Sequence, residues 1–321
     1  MKPLKLLFIF CIVCVGLLFT FKNKSVVSYE VTPGRFGDNL LTYLHAKWFS
    51  YEKQIPLIYT PFPYSSLLCL DEKEVYYKDK KTRKKLGLKP FFKTKVKKWS
   101  RFSKIPYLSF NYKCRYFPES LWERQHLNYF SFPVNWKDET FRKEIKQLIQ
   151  PKHPVSLTIP PPHSVNIAIH VREGGGFDTQ AARMIMPLKL PPLDFYIEGL
   201  KYVVSLFPGK NFYCYVFTDA LEPEQIVKKI KEDISSDIHI EYGYRKENNF
   251  HEANVLEDFF SFFHFDVLIH PQSNYSLIPS LLHDYAITYS PLDCKIENET
   301  VQITEVEIQT NKELCEKLHS L

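Results

Sequence analysis

A histidine and an arginine stand two residues apart in the stretch IAIHVREGGGFD, residues 167–178. Side chains at positions i and i+2 of a β-strand share a face, so His170 and Arg172 would leave a strand end side by side. Arginine offers a planar fork of donors suited to phosphate oxygens. Gly174 and the two glycines after it remove side chains where a backbone must bend or approach a ligand. The stretch predicts an anion site at a strand end.

Two more polar clusters follow apolar runs. Asp219 closes FYCYVFTD, where a carboxylate can accept from a ribose hydroxyl or a base N–H. Ser273, Asn274 and Ser276 lie between a predicted strand and a predicted helix, where hydroxyls and backbone N–H groups can meet a phosphate. Taken singly, the glycines are typical of a flexible loop, the histidine of a structural residue and the aspartate of a helix cap. Together the three clusters suit a nucleoside diphosphate.

These clusters need a sheet that brings strand ends together. The body from residue 31 alternates apolar runs with amphipathic stretches, which is typical of an α/β protein. The predicted strands of the second half are 165–171, 212–218, 238–242 and 266–270, and the predicted helices are 194–207, with Asp194 as N-cap, 223–234, 252–263 and 276–282. Such alternation predicts a parallel, doubly wound sheet that binds ligands beyond the carboxyl ends of its strands. No Gly-x-x-x-x-Gly-Lys-Ser/Thr loop is present, which excludes a P-loop NTPase.

The first half of the chain is less regular. It predicts a helix at 38–52, a strand at 56–60 and a helix at 138–149 with Asp138 as N-cap. The stretch 151–164 carries five prolines, a linker composition that predicts a domain boundary. We therefore expect an N-terminal α/β domain at 28–160, with the basic insertion described below, and a C-terminal nucleotide-sugar-binding domain at 161–321.

The N-terminus differs from this body. Sixteen apolar or nearly apolar residues, 6–21, lie between lysines on both sides. A bilayer span needs about twenty residues, so the run is slightly short, and a cleaved signal peptide is the competing interpretation. No clear small-x-small cleavage site precedes the body, which favours an N-terminal signal-anchor at 1–27. The flanking charges do not orient it.

A basic segment interrupts the first half at 73–104. It holds fourteen Lys or Arg residues and two acidic residues, a local net charge of +12 within a chain of net charge +6. Phe91, Phe92 and Trp99 stand among the lysines. An anionic membrane surface is the favoured partner, a solvated insertion is the second interpretation, and nucleic acid is the least favoured.

Seven cysteines do not form a recognisable framework. Two lie in the apolar run, and the other five are scattered without metal-ligand spacing. Isolated thiols are the favoured interpretation, with one or two disulfides open if the body is exported. With 45% hydrophobic and 24% charged residues, the 321-residue chain has a globular composition.

Three stretches resemble the fucosyltransferase superfamily, which includes α-1,2-fucosyltransferases (glycosyltransferase family 11) and α-1,6- and protein O-fucosyltransferases. IAIHVREGGGFD resembles their H-x-R-R-G-D stretch. VTPGRFGDNLLTYLHAKW resembles their Gly-x-x-Gly-Asn-Gln helix start. FTD, followed later by EDFFSFFHFDVLIHPQSNYSLIPSLL, resembles their third region. The resemblance covers most of residues 31–285 in order, as spaced motifs.

The resemblance implies a GT-B-like fold of two facing Rossmann-type domains. It also implies inverting transfer from a GDP-sugar, fucose or a related sugar, to a glycan hydroxyl, with no metal or other cofactor. Arg172 would hold the donor pyrophosphate, His170 would line the sugar, and Asp219 would meet the guanosine. The remaining donor-binding residues would be Gly174, Ser273, Asn274 and Ser276 near the phosphates and Gly34, Gly37 and Asn39 at the cleft wall.

The chain departs from the family pattern at several positions. Glu173 replaces the second arginine of the motif, and Asp38 stands where the family has Asn. Leu277 and Ile278 replace tryptophans. Either Arg183 or Arg245 is a candidate for the missing positive charge.

The reaction also needs a base for the acceptor proton. Asp178 is the favoured candidate and Glu173 the other, while a loop cap and a solvated charge are their structural interpretations. Two further functions stay open: a catalytically inactive GT-B-like protein that binds sugars or nucleotides, and a membrane-tethered interaction protein. An anchored enzyme would face the Golgi lumen in a eukaryote or sit at the inner membrane in a bacterium.

Overall fold

The structure is a computed structural model, and it describes residues 26–29, 31, 33–54, 57–76, 107–110, 134–173 and 179–321. The strands are β1 (Val26–Tyr29), β2 (Ile58–Tyr59), β3 (Val75–Tyr76), β4 (Tyr107–Phe110), β5 (Val165–Val171), β6 (Phe212–Thr218), β7 (Ile240–Tyr244), β8 (Val267–Ile269), β9 (Ile287–Glu297) and β10 (Thr300–Thr310). The helices are α1 (Phe36–Lys53), α2 (Leu70–Lys73), α3 (Glu139–Leu148), α4 (Gln180–Ile185), α5 (Leu193–Leu206), α6 (Pro223–Glu232), α7 (Val255–Ser261), α8 (Asn274–Leu282) and α9 (Lys312–His319). Turns of 3-10 helix lie at Ser65–Leu67 and Phe262–His264.

The largest sheet has six strands in the order β10-β9-β8-β5-β6-β7. Strands β5 to β9 run parallel, and β10 returns antiparallel to β9 as a hairpin. The chain proceeds outward from β5 to β7 on one side and from β8 to β10 on the other, so the strand order reverses between β5 and β8. Ligands of open α/β sheets bind beyond the carboxyl ends of the strands at such a reversal. The predicted mixed α/β fold with a mainly parallel sheet is confirmed.

The central strand is packed on both faces. Ile167 of β5 pairs with Cys214 of β6 and with Val267 of β8. One face of β5 packs in a cluster with Leu200 of α5, and the other face packs with the aromatic rings around Phe262. A strand that is buried on both faces has a continuous apolar sequence, and such a run is easy to delimit. The observed bounds of β5 and β6 therefore agree with the predicted ones.

Other element bounds differ from the prediction. β7 lies two residues later than the predicted 238–242, and the predicted helix 252–263 is the shorter α7 followed by a 3-10 turn. Pro192, and not Asp194, occupies the N-cap position of α5, and Asp194 lies in the first turn, where a carboxylate favours the helix dipole. The N-cap role of Asp138 is confirmed, because its Oδ1 accepts from the N–H of Phe141 at 2.9 Å.

The N-terminal half forms two short parallel strand pairs, β1 with β4 and β2 with β3, beside the long helix α1. Leu40 and Tyr43 of α1 are fully buried. Their hydrophobic cluster also contains Phe259 of α7 and Ile278 of α8, so one core continues across the proline-rich stretch 151–164. Because side chains of α1, α7 and α8 are buried in the same cluster, α1 packs at the end of the large sheet where the polar clusters lie.

Most of the predicted anchor 1–27 and of the basic segment 73–104 lies outside the described residues. Within the described part of the chain, every helix is too short or too polar to span a bilayer. Cys69, Cys214, Cys294 and Cys315 are free thiols, and the other three cysteines fall outside the description.

Candidate active site

A cavity of about 230 Å³ opens at the carboxyl edge of the large sheet, where the strand order reverses. Its floor comes from the ends of β5 and β6 and from the start of α8, and its walls come from the first turn of α1 and the segment before α7. The residues that line it are Gly34, Arg35, Phe36, Gly37, Asp38, Pro63, Tyr64, His170, Arg172, Lys189, Phe217, Thr218, Asp219, Asn248, Asn249, Phe250, His251, Glu252, Ala253, Asn254, Val255, Asp258, Ser273, Asn274 and Tyr275. Predicted site residues from all three strand ends therefore meet in one place.

Arg172 follows β5 and reaches the segment that follows β8. Its Nη1 donates to Oγ of Ser273 at 3.2 Å, directly before the first residue of α8. Burial and the nearby Arg35 lower the pKa of Arg172 to about 10, against the opposing effect of Asp219 and Asp38. The guanidinium stays charged at neutral pH, yet its surroundings disfavour that charge. This is the environment that a bound anion would improve.

His170 is buried beside Arg172. Its Nδ1 lies 2.8 Å from Oγ of Ser276, and its ring contacts those of Phe262 and Tyr275. Burial lowers the pKa of His170 to about 3, so the imidazole is neutral at physiological pH. Ser276 is fully buried behind the histidine and is not among the residues lining the cavity. In this arrangement it braces His170, whereas the sequence analysis expects it to face phosphates.

Asp219 follows β6 on the far side of Arg172. Its Oδ1 accepts from the backbone N–H of Glu173 at 2.8 Å, and its Oδ2 lies 3.8 Å from Nη1 of Arg35. It also borders a neighbouring, open groove of about 860 Å³. Phe250 and His251 line both spaces, so the cavity and the groove are adjoining parts of one cleft.

The first turn of α1 forms the opposite wall. Asp38 Oδ1 accepts from Nδ2 of Asn274 at 2.6 Å, which joins the start of α1 to the start of α8. Asn39 is almost fully buried, and its amide donates to the carbonyl oxygens of Gly34 (2.7 Å) and Arg35 (3.1 Å). Asn39 therefore shapes the turn from behind, while Gly34 and its neighbours face the cavity.

Gly37 allows the two helix starts to touch. A Cβ at this position would lie 2.6 Å from the backbone N of Tyr275 and 2.7 Å from its Cα. Both atoms belong to backbone, so the contact cannot be relieved by a side-chain rotation. A glycine here is required by close packing, and it lines the cavity.

We expect Gly37→Ala to lower the free energy of unfolding of the protein by about 1–3 kcal/mol, the usual cost of overpacking, because the added Cβ would push α1 away from α8. Thermal unfolding of the variant measures this loss. A Gly37→Ala protein as stable as the wild type would contradict the close-packing account.

The sequence analysis names two arginines as candidates for the missing motif arginine, and both form ion pairs with other carboxylates. Arg183 forms an ion pair with Glu173 at the edge of the groove. Arg245 pairs with Asp258 at 2.5 Å. Burial raises the pKa of Asp258 to about 6 despite this partner. Neither arginine is among the residues lining the cavity.

Sequence reasoning missed several residues of the cleft. Arg35 lies inside the quoted PGRFGD stretch, and its positive charge next to two glycines was the available signal. The segment 248–254 follows β7, whose predicted end at residue 242 lies two residues before its end in the structure. Lys189 follows neither a strand nor a recognised motif, so no sequence signal identified it.

Other predicted site features are not described. Gly174 and Asp178 lie outside the described residues, so their predicted roles stay predictions. In the described part of the chain, no group of three or more His, Cys, Asp or Glu side chains is arranged to hold a metal ion.

The chain matches no protein-family model and no curated protein. Its structure is similar to that of an Arabidopsis thaliana FUT1 mutant in complex with GDP, with 12% identity and a TM-score of 0.50 over 86% of this chain and 71% of that chain. It is also similar to POFUT1 in complex with GDP, with 12% identity and a TM-score of 0.44 over 83% of this chain and 96% of that one. A third is the fucosyltransferase NodZ from Bradyrhizobium, with 14% identity and a TM-score of 0.45 over 90% and 99% of the two chains. At a TM-score of 0.50, the chain shares its fold with the FUT1 structure.

Proposed function

We propose that this chain is an inverting glycosyltransferase that transfers a sugar, fucose or a related one, from a GDP-sugar to a glycan hydroxyl. The observation that carries the proposal is the meeting of Arg172 with Ser273 where the strand order reverses, at the start of α8. A charged fork, a hydroxyl and helix N–H groups together suit a pyrophosphate. The fold shared with a FUT1 structure that contains GDP supports this assignment.

The cleft has room for a donor in two parts. Sites for drug-sized ligands measure roughly 300–1,000 Å³, so the cavity of about 230 Å³ is too small for a whole nucleotide sugar. The adjoining groove of about 860 Å³ would hold the remainder. In our proposal the pyrophosphate and sugar occupy the cavity, and the nucleoside extends past Asp219 into the groove.

Asp219 supports guanine as the base. Guanine presents two adjacent N–H donors on its Watson–Crick edge, and a carboxylate can accept from both. Uracil and adenine lack this pair of donors. Guanine would therefore offer Asp219 one more N–H donor than uracil or adenine does, in addition to the contacts that Asp219 already makes with Glu173 and Arg35.

We expect GDP to bind at least about tenfold more tightly than UDP or ADP, which corresponds to about 1.4 kcal/mol. Calorimetric titration of the three nucleotides measures this difference. Asp219→Asn should remove most of the preference, and Asp237→Asn, at an exposed carboxylate outside the cleft, should leave it unchanged. Equal affinities for the three nucleotides would contradict the proposed donor.

In the proposed reaction an acceptor hydroxyl attacks the anomeric carbon as the bond to the phosphate oxygen breaks. GDP leaves from the opposite face with the electron pair, and the configuration inverts. Arg172 stabilises the charge that grows on the leaving phosphate. The acceptor proton passes to a carboxylate base.

We propose Asp38 as that base. It lines the cavity opposite Arg172, and its Oδ1 is oriented by Asn274 at 2.6 Å. Glu173, one of the two sequence candidates, is instead paired with Arg183. Asp178 stays a competing prediction outside the described residues. Asp38 stands where the resembling family has Asn, so this difference would provide the carboxylate that the reaction needs.

A catalytically inactive nucleotide-sugar-binding protein is the second candidate. It is favoured by Glu173, which stands where the resembling family has a second arginine and which neutralises Arg183. Hydrolysis of the GDP-sugar in the absence of an acceptor distinguishes the two, because an inactive binding protein would bind the donor without consuming it.

The proposal extends to the architecture around the site. It includes a GT-B-like pairing of an N-terminal domain at 28–160 with a donor-binding domain at 161–321. It also includes an N-terminal signal-anchor at 1–27 with the basic segment 73–104 near the membrane, and transfer without a metal. A membrane-tethered interaction protein is the alternative if neither donor binding nor transfer is found.

A further inference from the structure

The positive charge of the cavity comes from a small set of side chains. Of the residues that line the described cavity, Arg35, Arg172 and Lys189 carry a positive charge, and Arg35 already lies 3.8 Å from Asp219. A pyrophosphate group carries at least two negative charges. Arg172 alone would leave part of that charge uncompensated in a partly desolvated cleft.

Lys189 is held in place by its neighbours. Leu188 and Leu190 are both buried, and the N–H of Lys189 donates to the carbonyl oxygen of Met186 at 3.0 Å. The carbonyl oxygen of Leu188 accepts from the N–H of Gln272 at 2.9 Å. Gln272 directly precedes Ser273, the residue that Arg172 contacts. The segment that carries Lys189 is therefore hydrogen-bonded to the residues that follow β8. The same residues include Ser273, the hydrogen-bond partner of Arg172.

We propose that Lys189 binds the pyrophosphate of the donor as a second cation, in place of the motif arginine that is Glu173 in this chain. The assignment rests on the proposed function. Lys189 lines the cavity together with Arg172 and Ser273, whereas Arg183 and Arg245, which pair with Glu173 and Asp258, do not line it. An ammonium on a flexible stem can follow the phosphate as the bond to the sugar breaks, without the bidentate geometry of arginine.

Calorimetric titration of GDP into the full chain and its variants tests the inference. Charge-assisted hydrogen bonds of this kind correspond to a loss of roughly 10–100-fold in affinity on removal. We expect Lys189→Ala to lose GDP affinity by that factor and Lys189→Arg to retain most of it. Lys189→Ala should also bind with a weaker dependence on ionic strength, because one cation is missing. The melting temperature should stay that of the wild type.

Lys312→Ala is the control for loss of a lysine charge, because Lys312 is exposed on α9 and lines neither the cavity nor the groove. We expect its GDP affinity to be unchanged. Wild-type GDP affinity in Lys189→Ala would overturn the inference while leaving the proposed function intact. The inference would also be overturned if Lys189→Ala lost GDP affinity together with a lower melting temperature and Lys189→Arg did not restore the affinity. That result would give Lys189 a structural role. A wild-type chain that binds no GDP would overturn the proposed function and this inference with it.

Discussion

Replacing Arg172 with alanine is expected to reduce sugar transfer by about 10²–10³-fold, the scale of losing one preorganised donor to a developing charge. Arg172→Lys should fall between the alanine variant and the wild type, because it keeps the charge but loses the planar fork. The stability of the protein should change little. Burial and Arg35 already lower the pKa of Arg172, so the folded state gains no net stabilisation from its charge.

Transfer rate, GDP affinity and melting temperature measured on the same variants separate function from structure. Arg142→Ala provides the control, since Arg142 donates to the carbonyl oxygen of Leu282 at 2.9 Å and to Asp284 at 2.7 Å, away from the cavity. That variant should melt earlier and bind GDP normally. A destabilised Arg172→Ala protein with normal GDP affinity would remove Arg172 from the site.

Asp38→Asn is expected to reduce transfer by about 10²–10⁴-fold, the usual contribution of general acid–base catalysis. The amide is close in shape to the carboxylate, and its oxygen can still accept from Asn274, so the joint between α1 and α8 should persist. GDP affinity should be kept or slightly increased, because a negative charge near the phosphates is removed. The loss should therefore appear in kcat and not in donor binding.

Asp178→Asn and Glu173→Gln, assayed in parallel, identify the base. If Asp38 takes the acceptor proton, neither of these variants should approach the loss seen for Asp38→Asn. Transfer at the wild-type rate in Asp38→Asn together with a collapse in Asp178→Asn would return the role to Asp178, as the sequence analysis favours.

The strand-end residues could be placed from the sequence for a simple physical reason. His170, Arg172 and Asp219 each lie at the end of an apolar run long enough to form a strand buried on both faces. Parallel strands bring their carboxyl ends to one edge of the sheet, so residues far apart in sequence must meet there. The contact between Arg172 and Ser273 is the outcome of this rule.

Residues placed by tertiary packing could not be found in this way. Ser276 lies in the first turn of α8, but the sequence does not state which face of that turn meets His170. Lys189 follows α4, a helix of six residues with none buried, which has no hydrophobic period to detect. β7 is an alternating strand, and its bounds are set by pairing with β6, where Phe212 lies opposite Ile240.

The sequence also did not predict that the two halves of the chain, before and after 151–164, share one hydrophobic core. The prolines in 151–164 indicate a linker, and nothing in that composition reveals that α7 and α8 bury side chains against α1. The close approach of the first turns of α1 and α8 depends on the position of Gly37 beside the backbone of Tyr275, which is a tertiary contact. The glycine itself was identified, but its partner was not.

A crystal structure of the full chain with GDP is the most direct test of the central claim. The account predicts pyrophosphate oxygens within hydrogen-bond reach of the Arg172 guanidinium and the Ser273 hydroxyl, at the start of α8, with guanine beside Asp219. An ordered GDP whose phosphates lie away from the reversal between β5 and β8 would contradict it.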